Sequence, residues 1–216
     1  ISSIVFDGPI NKMTRGGLNK KFGFLHTGYA SNALLVCMQE LKIKQPKLKF
    51  KYLDNLPLTP IFGQKGLDST YPDQTTQLHD TFTHAKNIGV PFAGVEIDCP
   101  YNYVTLPQQK DKLSKYIGFC RMLGQSEIAL IVNSGDKAIT ADTRYVKDPL
   151  QIVEEAQYNY DTLQYLSLLY NDPAFSLKSM PDKFICQTWT TSIRTLSGLS
   201  RNLLKMKKHA QNLVVE

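Results

Sequence analysis

Val90-Pro-Phe-Ala-Gly-Val-Glu-Ile-Asp98 and Ile128-Ala-Leu-Ile-Val-Asn-Ser-Gly-Asp136, with the stretch between them, decide the fold class. Residues 92–97 and 128–132 are short apolar runs bounded by Gly, Pro and Asn, as buried strands are. Between them Leu113, Ile117, Cys120 and Leu123 recur at helical spacing, and Gly124 stops the helix. Strand, helix, strand is the βαβ unit, whose two strands lie parallel. Each strand ends in carboxylate: Glu96 and Asp98 on the first, Asp136 just past the second. In parallel sheets and barrels alike, chemistry gathers at that end. The expectation is an α/β fold with a largely parallel central sheet and a helical C-terminal region. A doubly wound layer and a small barrel both satisfy the pattern.

Outward from this stretch, the chain repeats the theme. Ile4-Val5-Phe6 followed by Asp7-Gly8-Pro9 reads as a first strand and its exit. Arg15-Gly16-Gly17 and Lys20-Lys21 form a basic, glycine-bearing loop without a Walker pattern, and residues 22–25 fit a short strand. Ser31 is placed to cap a helix burying Leu34, Leu35, Met38 and Leu41. Leu48, Phe50 and Tyr52 alternate with Lys47, Lys49 and Lys51, which predicts a half-exposed edge strand guarded by lysines and ending in Asp54. A phosphate-facing strip is the other reading of those lysines. A helix burying Leu78, Phe82 and Ala85 follows, stopped by Gly89. His79 and His84 on it are five apart rather than the four that would share a metal, and are read as surface residues. Residues 138–145 hold a candidate short strand. Asp148-Pro149 opens a long helix with Leu150, Val153, Tyr160, Leu163, Leu166 and Leu169 as core contacts, ended by Asn171-Asp172-Pro173. Residues 184–191, with Trp189, fit a strand or the start of the last helix.

At 216 residues with 42% apolar content, the chain suffices for one domain with a real core. The boundaries expected are an α/β core over 1–148 and a helical region over 149–216. No run approaches the roughly 20 apolar residues of a membrane span, and no secretory pattern opens the chain. The four cysteines form no Cys-x-x-Cys pair and no Asn-x-Ser/Thr sequon occurs, so a reducing, intracellular compartment is expected. Net charge is +6, unevenly laid out. Residues 1–51 hold nine Lys/Arg against Asp7 and Glu40, and residues 183–216 hold six against Glu216, while the middle is acidic. In the last helix Arg194, Arg201, Lys205 and Lys208 share one face. With Arg15, Lys20 and Lys21 they are the candidate nucleic-acid contacts; the same helix face would also suit an acidic protein partner. A solvated surface of uneven charge explains the same layout.

Asp7, Asp54, Asp98 and Asp136 each close an expected strand, and Glu96 shares a face with Asp98. Hard oxygen ligands in such a cluster suit Mg²⁺, which activates water and steadies the leaving oxygen of a phosphodiester. On this reading Asp7, Glu96, Asp98 and Asp136 hold metal, with Asp54 an alternative to Asp7 as helper. Glu96, Asp98, Asp136 and Lys137 carry catalysis, Lys137 steadying a phosphate. Asp is also a common turn and cap residue, so strand-ending aspartates alone are compatible with loop chemistry.

Three short likenesses accompany this reading. Val95-Glu96-Ile97-Asp98-Cys99-Pro100 resembles the core of PD-(D/E)xK exonucleases of the phage-lambda type, with Asp98 where that motif has lysine. Val5-Phe6-Asp7-Gly8 and Ser134-Gly135-Asp136-Lys137 resemble pieces of PIN or flap-type nucleases, the second having Ala138 where the next Asp belongs. Residues 92–98 are similar to the chitinase barrel motif, with Pro100 at the place of its Glu. Each is confined to one short stretch and carries no assignment. The function expected is a Mg²⁺-dependent nuclease or related phosphoryl-transfer enzyme. The alternatives are a non-catalytic subunit of a nucleoprotein or viral assembly, anchored by its basic ends, and a carbohydrate-active barrel. For the last, Glu96 and Asp98 stand too close on one strand to flank a glycosidic bond unaided.

Overall fold

The computed structural model describes residues 1–10, 26–64, 73–133, 155–175, 179–186, 204–205 and 207–208. Along them run β1 (Ser3–Asp7), α1 (Thr27–Lys44), β2 (Lys49–Asn55), α2 (Thr75–Asn87) and β3 (Phe92–Asp98). A one-turn α3 (Tyr101–Val104), α4 (Pro107–Met122), β4 (Ile128–Val132), α5 (Glu155–Asn171) and β5 (Lys183–Cys186) follow. The described strands form one all-parallel sheet in the order β1-β2-β3-β4-β5. The α/β expectation is met, and β3-α4-β4 is its βαβ unit. A doubly wound sheet reverses strand order at a switch point. This sheet does not reverse. With the right-handed crossovers that parallel strands almost always use, the order β1-β2-β3 sends α1 and α2 to the same face.

Two compact units divide the chain: Ile1–Asp98 with Phe119–Ala129, and Cys99–Gly118 with Leu130–Glu216. In the first, β1, β2 and β3 have one apolar face and one polar face. Phe50, Tyr52, Val95 and Ile97 are buried on the apolar side. Phe82 of α2 packs its ring on Tyr52 at 5.5 Å and on Phe92 at 4.6 Å, and Phe6 meets Phe50 at 6.0 Å. Thus α2 covers this face. α1 lies beside α2, where the Ser31 and Thr81 hydroxyls share a hydrogen bond of 2.6 Å and the Thr27 hydroxyl donates to Gln77 at 3.1 Å.

Two local expectations are corrected here. β2 is not an edge strand: it pairs with β1 on one side and β3 on the other. Period-two alternation reports one wet face, and an interior strand whose second face carries no helix produces it as well as an edge does. Ser31 is not a cap either, since α1 begins at Thr27 and Ser31 is buried within it. A mid-helix serine normally seeks a backbone partner; Thr81 supplies a side-chain one. Leu34, Leu35 and Met38 are buried as expected, and so are Leu78, Phe82 and Ala85 on α2, while His79 and His84 are exposed. Gly89, with φ +79°, ends that helical segment in a conformation suited to glycine.

In the second unit α5 buries Tyr165, Leu166 and Leu169, whereas Tyr160 is exposed rather than in the core. The Tyr165 hydroxyl donates to the Cys99 carbonyl at 2.6 Å. Residues beyond α5 return to α4: Lys110 ion-pairs with Asp172, and the Ser114 hydroxyl donates to the Ala174 carbonyl at 2.6 Å. No helix among the described residues is long and apolar enough to cross a membrane. Cys99 and Cys120 are buried free thiols, as an apolar role requires, while Cys37 is exposed on α1. The expected strands at 22–25 and 138–145, and the Asp148-Pro149 helix start, lie outside the described residues.

Candidate functional site

Register decides which carboxylates meet. In the first unit Asp7 pairs with Leu53, Leu53 with Glu96, and Asn55 with Asp98. Laterally paired residues of a parallel ladder project to the same side, so Asp7, Asn55, Glu96 and Asp98 share the polar face with Lys51. Asp54 is one residue out of phase. It projects to the helix-covered side, is wholly buried, and accepts a hydrogen bond from the Thr59 hydroxyl. Burial holds the Tyr52 hydroxyl pKa well above its ordinary value, and the nearby Asp54 charge adds to that effect.

A register shift between Phe50 and Lys51 sets this arrangement. Phe50 pairs with Phe92 but Lys51 pairs with Gly94, leaving Ala93 as an extra residue in β3. Phe92 therefore packs with Tyr52 and Phe82, while Gly94, Glu96 and Asp98 turn to the other side.

The polar face has two levels. At the lower, Lys51 Nζ lies 2.5 Å from Glu127 Oε1 and 3.4 Å from Glu96 Oε1, all three side chains partly exposed. The hydrogen bond to Glu127, then the attraction of both carboxylates, raises the Lys51 pKa against the opposing effect of burial. At the upper level, on the carboxyl rim, Asn55 Nδ2 donates to Asp98 Oδ2 at 3.2 Å. Asp98 is only 6% exposed. Asp7, exposed, ends β1 level with Glu96 and one pair below Asp98; just past it Gly8, at φ +50°, turns the chain and donates its N–H to the Leu53 carbonyl at 2.7 Å.

Of the expected metal ligands, then, Asp7, Glu96 and Asp98 share a face, but Lys51 engages Glu96. Asp136 and Lys137 lie outside the described residues. Among the described residues no group of three or more His, Cys, Asp and Glu is arranged to hold a metal ion. Of the basic candidates, Lys205 and Lys208 are helical and exposed. Arg15, Lys20, Lys21, Arg194 and Arg201 lie outside the described residues.

No family model, curated protein or solved structure matches this chain. Function is therefore read from the chemistry of the polar face itself. Two members of that face escape sequence reasoning. Asn55 follows the more conspicuous Asp54, and only pairing with β3 reveals it as the partner of Asp98. Glu127 precedes the apolar run of β4 and meets a lysine 76 residues away in sequence. Only the alternation of Lys49 and Lys51 with buried residues signals that this face is wet.

Proposed function

We propose that this chain is a hydrolase that cleaves a glycosidic bond at the carboxyl rim of β1–β3, with Asp98 and Asp7 as its carboxyl pair. One observation carries the reading: register delivers two carboxylates from separate strands to one face, at the carboxyl end of a sheet wound in a single direction. Glycoside hydrolysis asks for two carboxyl groups on either side of the scissile bond. Glu96 cannot be the second, being on the same strand as Asp98 and held by Lys51. Asp7 stands two strands from Asp98 and one pair lower on the ladder, about 12 Å backbone to backbone. The Asn55 amide donates to Asp98 Oδ2 and orients it, which suits Asp98 to the part of base or nucleophile. Asp7, on β1, is the remaining carboxylate that register brings to this face, and on this reading it takes the part opposite Asp98. In the chitinase-like stretch 92–98 Pro100 stands at the place of the glutamate, and on this reading Asp7 would answer for it.

The test is release of reducing ends from a panel of oligosaccharides, N-acetylated and not. Activity is expected in the native chain and a loss of about a hundredfold or more in Asp98→Asn and in Asp7→Asn. Failure of the folded native chain to cleave any glycan would overturn the proposal.

A second reading keeps the rim and changes the bond. The exposed Lys205 and Lys208, and the basic surplus toward both ends, favour a nucleic acid and phosphodiester cleavage. Asp7 and Asp98 would then hold Mg²⁺. The ion would activate water and stabilise the leaving oxygen. Cleavage of labelled DNA or RNA that requires Mg²⁺, stops with EDTA and is lost in Asp98→Asn, without glycan cleavage, selects this reading.

A further inference from the structure

Asn55 is held on every side by its own turn. Its carbonyl accepts the N–H groups of Leu58 at 3.0 Å and Thr59 at 3.1 Å, and the Thr59 hydroxyl at 3.0 Å. The next N–H, that of Leu56, donates to the Asp98 carbonyl at 3.0 Å. The exits of β2 and β3 are thereby locked together at the main chain before either side chain is considered. From that fixed base the Asn55 amide has a short reach, and it ends at Asp98 Oδ2. Only the nitrogen end of the amide can face a carboxylate oxygen, because two acceptors repel.

We propose that Asn55 is the positioning residue of the rim, orienting the Asp98 carboxylate for its reaction without itself touching the scissile bond. This rests on the hydrolase reading above. Rigid support of this kind matters because a misplacement of about 1 Å in a reacting group costs roughly a hundredfold in rate. Asparagine suits the place: aspartate has the same shape but, when ionised, brings a second negative charge in place of a donor.

Kinetics and spectroscopy test it together. Asn55→Ala and Asn55→Asp are each expected to lower kcat by roughly tenfold to a hundredfold with KM within threefold and the thermal midpoint kept. The Asp variant should be the worse of the two, although it preserves the shape. In an Asp98→Glu background, where the carboxyl has already moved, Asn55→Ala should cost less than twofold. Equal losses in both backgrounds, or an Asn55→Asp variant as active as the native chain, would overturn the assignment. In the native fold the Asn55 side-chain amide resonances are expected to shift on Asp98→Asn. Unmoved resonances refute the hold of Asn55 on Asp98 whatever the activity. A native chain that cleaves no glycan refutes the hydrolase reading and leaves the resonance result to judge the contact alone.

Discussion

A β-carbon at position 94 would sit 2.7 Å from the Glu127 backbone oxygen and 3.1 Å from its Cβ. That oxygen cannot simply retreat, because it accepts the Val95 N–H at 2.9 Å. Gly94→Ala is therefore expected to cost about 1–3 kcal/mol, read as a lower urea midpoint; an unchanged midpoint would show that the two segments yield freely. Nearby, Lys51 separates two carboxylates. Lys51→Met leaves Glu96 and Glu127 facing each other and is expected to cost about 1–2 kcal/mol at neutral pH. The raised pKa of Lys51 gives this effect a sign. Its contribution is whole below the ordinary lysine value of 10.5 and fades as pH climbs through the higher folded value. The stability gap between native and variant should thus narrow only above about pH 10.5; a gap constant into stronger alkali would assign the loss to packing. Composition and alternation make Lys51 visible in the sequence. They do not name its partners, because a contact spanning 76 residues leaves no local trace.

Elements were the most legible scale. Apolar runs locate β3 and β4 within a residue of their observed bounds, and glycine stops locate the C-terminal ends of α2 and α4 within two. Misreadings arose where one pattern has two physical sources, as with the wet face of β2 and with Ser31. The exit of α5 offers a test at this scale. Asp172 is held below its ordinary pKa chiefly by its hydrogen bond with Lys110 and then by the Ala174 N–H. A lowered carboxylate pKa stabilises above its unfolded value and ceases to do so as pH falls through the folded one. Asp172→Asn is expected to lower the melting temperature by about 2 °C at pH 7, modest because the pair is partly exposed. That difference should begin to shrink as pH falls below the ordinary carboxylate value of 3.8 and vanish in stronger acid, below the folded value. A difference persisting in acid would place the effect in the turn rather than the charge.

At the scale of the whole molecule, the sheet keeps one direction, and over β1–β3 the side that α2 leaves uncovered carries the polar groups. Local stability should follow. Amides of Tyr52–Asp54 and Val95–Ile97, flanked by strands and covered by α2, are expected to exchange with solvent more slowly than those of Ile4–Phe6, whose side chains are only partly covered. Equal protection by hydrogen-exchange mass spectrometry would contradict this gradient. Winding order was beyond the sequence, because every βαβ unit looks alike locally whichever neighbour it joins. The extra residue in β3 was equally hidden, and it has the longest reach. Two rhythms run through that strand half a beat apart, one addressed by Phe92 to the oily layer, the other by Asp98 to the rim, and Ala93 is the grace note that reconciles them. Excising Ala93 would leave both addresses correct. Losing a residue at Val95 would instead send Asp98 into the oil, so between Phe92 and Asp98 the strand is shortened without harm at Ala93 and not at Val95.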